Sequence, residues 1–472
     1  MKRDYNIIAF VFWTAFIALI AVCGFFMIHN AAWIIGDESI VYSTTGMGKA
    51  FSPFGFDGMI DSYGRFYPFA YNLYNILLLF GNGQISVEAH YTLQAVALCI
   101  YALCFALVGL RLLKGIKPIW KYSITFCFVS ITVFRVYPEF VTCYTGAWII
   151  FMILAVFILC TCKFEETENL GWGIAAILFA TYICYCYENI CVIPLVYGTC
   201  SLLFNYKRLS NRKKWFNWLL VTSGVLFIIL YVVIVIPRAT HFYGHHSENT
   251  LFINAFKMFV AQKIYWVALI FFVVRLWDII KKKSPYIFAD SFLLSSFAYF
   301  CGTALIHLNF TYYYNFGALL ALTSIICYCR EYLKPYWTLL LFGAFFILYG
   351  YKMPSRIQHN QNLRISTYTQ MCQLSEIINY GEQVYWYAPE YSDPTDFYVD
   401  LRNCQHGRLV SYLEWLEQYE EYIPKMSYFE PKLQGIWLYP IENDILFPDS
   451  IVLFKDREIL YDICGIKAYR VK

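Results

Sequence analysis

From Ile7 to about Gly350 the chain is a succession of apolar runs, separated from one another mostly by short polar loops. Each run is about 20 residues long, the length a helix needs to cross the hydrocarbon layer of a bilayer. Only a helix or a closed barrel satisfies its own backbone there. A soluble core does not need 60% hydrophobic residues, 14% charged residues and a mean hydropathy of +0.50. The pattern predicts an all-α polytopic membrane protein with about eleven transmembrane helices, centred near residues 18, 100, 128, 153, 177, 196, 227, 270, 297, 321 and 343. The first run, Ile7 to Ile28, follows a basic start but is long and lacks a small-x-small cleavage site, so it reads as a retained anchor.

Basic clusters fall on alternate loops: Lys2 and Arg3; Arg111, Lys114, Lys117 and Lys121; Lys207 to Lys214; Lys281 to Lys283; Arg330 and Lys334. The positive-inside rule makes that side cytoplasmic. Eleven spans from a cytoplasmic N-terminus then put residues 353–472 outside, whereas a miscount by one helix would put them inside. Residues 1–352 carry 25 basic and 15 acidic groups, and 353–472 carry 11 and 17, so the tail is a different kind of object. Alternating runs at Gln383 to Tyr387, Gly435 to Tyr439 and Ser450 to Phe454 suggest strands in the tail. Ile365 to Ile378 and Leu409 to Tyr422 suggest helices, giving a small C-terminal extracytoplasmic α/β domain after a transmembrane domain of residues 1–352. Of 17 cysteines, 14 precede residue 353, mostly inside apolar runs and without metal-site spacing.

The expected outer side holds a long loop from Asn30 to about His90. Within it, Phe66 to Phe80 is apolar but too short to span, which predicts an interfacial or re-entrant helix; Leu251 to Lys263 reads as a second.

Acidic residues near the membrane are few and map to this side. Asp37 and Glu38 follow the first span in Trp33-Ile-Ile-Gly-Asp-Glu-Ser, where Gly36 permits a sharp turn. A carboxylate beside hydrocarbon has its pKa raised by desolvation and suits a general base; the plainer reading is a solvated helix end. Arg65 and Tyr67 lie in Asp61-Ser-Tyr-Gly-Arg-Phe-Tyr-Pro. The arginine fork can grip a phosphate, or the pair can simply anchor the chain at the interface. Glu139 and Glu188 each stand at the outer end of a span beside a tyrosine. They could converge on Asp37 to position an acceptor or to hold Mg or Mn, since hard cations take oxygen ligands. Arg238 and His241 add positive charge from the Pro237 to Thr250 loop. His241 and His245 have helical zinc spacing, but Gly244 and the lack of an accompanying Glu argue against zinc.

A first span ending in an Asp-Glu pair, a long first outer loop, acidic residues at later outer turns and an outer tail together resemble the GT-C superfamily of integral membrane glycosyltransferases. The resemblance is topological over about 350 residues. It rests at motif level on Gly36-Asp37-Glu38, Gly64-Arg65-Phe66-Tyr67-Pro68 and the Glu139 turn. It implies a polyprenyl-phosphate-linked sugar donor, a glycan or lipid-linked acceptor, and a bacterial cytoplasmic membrane with the site facing outward. By the same resemblance Asp37 is the catalytic base, Glu38 assists, and Arg65 and Arg238 bind phosphate. The chain departs from the family in having no Asp-x-Asp motif in the second outer loop. Rival readings are a transporter or flippase of lipid-linked saccharides, a polymerase of such chains, and a non-catalytic assembly protein. A transporter should carry ionisable residues at mid-membrane and repeated halves with broken helices. The partners expected are lipids and saccharides, with no nucleic acid.

Overall fold

The computed structural model describes residues 2–29, 31, 60, 64–70, 72–79, 87–142, 146–240, 251–306, 312–362, 384–387, 425–427, 434–440, 454, 457–463 and 466–471. A helix falls on every one of the eleven apolar centres. They are α1 (Lys2–Ile28), α2 (Val87–Leu112), α3 (Pro118–Thr142), α4 (Ala147–Thr167), α5 (Leu170–Cys184), α6 (Val192–Asn205), α7 (Asn211–Leu230), α9 (Ile264–Ile280), α10 (Phe288–Leu305), α11 (Asn315–Tyr332) and α12 (Pro335–Gly350). A twelfth, α8 (Leu251–Ala261), precedes α9 and meets it at 94°.

Among the described residues eight helical stretches are long and apolar enough to cross a membrane, or nine with α8–α9 counted as one broken span. The remaining two have separate reasons for falling short. Helix α5 has only 15 residues. Helix α11 is buried on every face from Asn315 to Cys329 and touches α2, α3, α4, α9, α10 and α12. A helix that never faces lipid can carry Asn315, Thr323 and Ser324, which lowers its hydropathy.

The charges sort the bundle into two ends. At one, Arg111 and Lys114 pair with Glu166, Lys213 pairs with Glu165, and Arg330 donates to the Leu112 carbonyl. At the other lie Arg65, the α8–α9 elbow, the start of α11 and the end of α12.

The Phe66 to Phe80 stretch differs from expectation. Residues 64–67 have no regular secondary structure, 68–70 turn, and Asn72–Leu79 form a 3-10 helix. At about 2 Å per residue this reaches roughly 16 Å, half a bilayer. Gly64 sits at φ 60°, outside right-handed helical geometry, so no α-helix runs through it. Tyr67, Ala70 and Tyr74 are buried in the bundle core, and Trp148 Nε1 donates to Tyr74 Oη at 2.6 Å. The segment crosses the N-terminus of α4 at Gly146, whose φ is 64°; a Cβ there would lie 2.6 Å from the Ala70 carbonyl oxygen. The second short helix matches expectation: α8 exposes Phe252, Ile253 and Phe256 beside Lys257, as an interfacial helix does.

In the tail, β1 (Val384–Tyr387), β2 (Lys425–Ser427), β3 (Gly435–Pro440), β4 (Glu458–Ile463) and β5 (Ile466–Val471) form one mixed sheet in the order β2-β1-β3-β5-β4. Strand β1 is parallel to both neighbours, and β5 is antiparallel to both of its own. Trp437, Phe454, Tyr469 and Val471 form a small core of their own. The helices expected at Ile365 to Ile378 and Leu409 to Tyr422, and all but Phe454 of the strand expected at Ser450 to Phe454, lie outside the described residues.

Candidate active site

The polar end opposite the Glu166 cluster is built around the irregular stretch Gly64–Tyr67. Glu188, at the start of a 3-10 turn (Glu188–Cys191) between α5 and α6, reaches across to hold it. One carboxylate oxygen accepts from Arg65 Nε at 2.9 Å and from the Phe66 backbone N–H at 2.7 Å; the other accepts from Arg65 Nη2 at 3.3 Å. Tyr231, beyond the end of α7, donates to the Gly64 carbonyl at 2.7 Å, and the Phe69 N–H donates to the Tyr185 carbonyl at 3.0 Å. A loop 123 residues away in sequence from Glu188 is thereby fixed to three separate elements.

The guanidinium of Arg65 also lies over two phenol rings, Tyr67 at 4.8 Å and Tyr187 at 5.8 Å. Burial acts to lower the Arg65 pKa, but the Glu188 carboxylate, with Tyr67, Tyr313 and Tyr187 adding to it, holds the pKa well above its ordinary value. Arg65 is therefore always charged, and that charge is answered by Glu188. Tyr187 stacks on Tyr313 with centroids 5.4 Å apart, and Tyr313 packs on Tyr312 at 4.0 Å. The buried hydroxyls of Tyr187 and Tyr314 find no hydrogen-bond acceptor or donor among the described residues. Aromatic faces with unanswered hydroxyls suit a polyhydroxylated ligand.

The residues expected from sequence divide into three groups. Arg65, Tyr67 and Glu188 come together as described. Arg238 is exposed, seven residues past Tyr231 in sequence. Glu139 lies in the last turn of α3, with its side chain outside the described residues, and Asp37, Glu38 and His241 also lie outside them. The metal expectation rests on Asp37 and Glu139 beside Glu188, and the side chains of the first two lie outside the described residues. Among the described residues no group of three His, Cys, Asp or Glu could hold an ion, and both oxygens of Glu188 are committed to Arg65 and Phe66.

Two buried arginines were missed at the sequence level, although each stood in an apolar run where a charge is costly. Arg275 is 2% exposed and makes a two-pronged pair with Asp290 at 2.8 and 2.7 Å. It also donates to Ser284, Pro285 and Tyr332. It ties α9 to α10 and α11 at the Glu166 end. Arg135 lies on α3 near the Arg65 end and contacts only neutral acceptors.

No protein-family model matches this sequence, and no curated protein matches it. The fold does match solved structures. ArnT from Cupriavidus metallidurans in the apo state superposes with a TM-score of 0.59 at 9% identity, covering 98% of each chain. ArnT from the same organism bound to undecaprenyl phosphate superposes with a TM-score of 0.54 at 10% identity, covering 97% of each chain. The chain therefore shares its fold with these two solved structures over nearly its whole length.

Proposed function

We propose that this protein transfers a sugar from a polyprenyl-phosphate donor to a glycan or lipid-linked acceptor, at the bundle end that carries Arg65. That end faces outward from a bacterial cytoplasmic membrane. The observation that carries this reading is the end-to-end likeness to ArnT, which in one structure binds undecaprenyl phosphate. The tyrosine-lined site beside Arg65 supports it, because ring faces and unanswered hydroxyls suit a sugar.

In this reading Asp37 takes the proton from the acceptor hydroxyl as it attacks the anomeric carbon, with Glu38 assisting. The C–O bond to the lipid phosphate breaks, and the phosphate leaves with the electron pair. A phosphate leaving group needs no proton, so a single carboxylate suffices, unlike the acid and base pair of a glycosidase. Positive groups stabilise the departing charge. Arg238 and His241 supply it from the loop after α7, and Arg65 contributes a fixed donor array shaped by Glu188 and Tyr67. Glu139, at the end of α3, positions the acceptor.

The test is turnover of purified protein, reconstituted in lipid, with a set of polyprenyl-phosphate sugars. Asp37→Asn is expected to lose about 10²- to 10⁴-fold in rate while still binding donor. Equal turnover in the two proteins overturns the assignment of the base.

A further inference from the structure

Arg135 is 6% exposed, and no salt bridge to it occurs among the described residues. Its Nη1 donates to Tyr349 Oη at 2.8 Å, and its Nη2 donates to both Gln262 Oε1 and Asn315 Oδ1. Its Nε is buried with no partner. No carboxylate pairs with it among the described residues. Arg356, which donates to the Phe134 carbonyl one residue away on α3, lacks such a partner too.

A buried charge without a counter-charge costs several kcal/mol, and proteins ordinarily pair it. This chain does so elsewhere: Arg275 with Asp290, Arg65 with Glu188 and Lys213 with Glu165. Arg135 departs from that habit at the end of the bundle away from the basic clusters. Here α3, the α8–α9 elbow, the first residue of α11 and the last turn of α12 meet. Two amide oxygens accept from Nη2 while Nε has no acceptor among the described residues, so the Nε–Nη2 edge, the one a bidentate oxyanion uses, is only half occupied.

We propose that Arg135 is an anion-binding residue. It takes a phosphate-class oxyanion on Nη2 and Nε, in place of the side-chain oxygens of Gln262 and Asn315. The neighbouring elements favour a lipid-borne phosphate over a soluble one. Helix α12 exposes Leu340 and Ile347, and α8 exposes Phe252 and Phe256, so the site is one helix in from the lipid. The inference names a phosphate contact and stands whether or not the protein transfers sugar.

The experiment measures binding in detergent by thermal shift, using a polyprenyl phosphate, the matching uncharged polyprenol and inorganic phosphate. The wild type should bind the polyprenyl phosphate. Arg135→Gln should weaken that binding at least about tenfold, the equivalent of one charge-assisted hydrogen bond, and Arg135→Lys should restore part of it. Polyprenol binding should be weak and the same in all three proteins. Gln262→Glu supplies the missing carboxylate, so it should raise the melting temperature and weaken phosphate binding together; this keeps the idea testable if Arg135→Gln does not fold. An Arg135-dependent shift with inorganic phosphate alone would support the oxyanion site and make its source soluble. Unchanged polyprenyl phosphate affinity in both Arg135→Gln and Gln262→Glu would overturn the proposal. Because the readout is binding, failure of the transfer reaction leaves this result separately readable.

Discussion

Glu188 is the residue on which the Gly64–Tyr67 stretch depends, since one carboxylate answers a guanidinium and a backbone N–H together. Its side chain is 13% exposed and that of Arg65 is 17% exposed, between the surface and the fully buried cases. Glu188→Ala should cost about 2 kcal/mol of stability, between the values for exposed and buried pairs, because it strands Arg65 and the Phe66 amide. Glu188→Gln keeps one acceptor and should cost less. Denaturant titration in detergent micelles measures both, and a neutral Glu188→Ala would mean that the loop is held by its aromatic contacts instead. Sequence reading marked Arg65, Tyr67 and Glu188 separately, as a phosphate grip and a possible metal ligand. It could not see that they meet, because 123 residues separate the partners and no local pattern encodes the contact. Arg135 could have been marked. It interrupts the apolar run Val133-Phe-Arg-Val, and an arginine in such a place asks for a partner.

Helices were the most legible elements, because an apolar run of membrane length leaves the backbone few alternatives. Within Phe66 to Phe80 the helix expected is only the 3-10 helix Asn72–Leu79, and apolar residues such as Tyr67, Ala70 and Tyr74 serve the bundle interior. Strands β1 and β3 were visible by alternation. The pair β4–β5 was not, since its Glu458–Ile463 and Ile466–Val471 segments mix charged and aromatic residues without a clean period. Close packing between elements gives two tests. At Gly198 on α6 a Cβ would lie 2.5 Å from the Asn217 carbonyl oxygen of α7, so Gly198→Ala should force the helices apart and cost about 1–3 kcal/mol. Asp290→Ala would leave Arg275 charged and buried among α9, α10 and α11, at a cost of about 3–5 kcal/mol. Both are read as lowered denaturation midpoints. An Asp290→Ala protein as stable as the wild type would show that Arg275 does not depend on that pair.

At the scale of the whole molecule, the two ends of the bundle are chemically unlike. One holds Arg111, Lys114, Lys213 and Arg330 with Glu165 and Glu166; the other holds the tyrosine-lined Arg65 site and unpaired Arg135. The positive-inside rule predicts that the first faces the cytoplasm. A cysteine introduced at Arg238 should then react with a membrane-impermeant maleimide added to intact cells, and one at Lys283 should react only after permeabilisation. The reverse pattern would invert the membrane orientation given to the site. In the proposed function, the outer site performs one-step sugar transfer from a lipid phosphate with a single carboxylate base. The most direct test of that claim is the anomeric configuration of the product, read by NMR after reaction of the reconstituted protein with a polyprenyl-phosphate sugar of known configuration. Inversion, with one lipid phosphate released per sugar transferred, is the predicted result, and a product of retained configuration would contradict the claim.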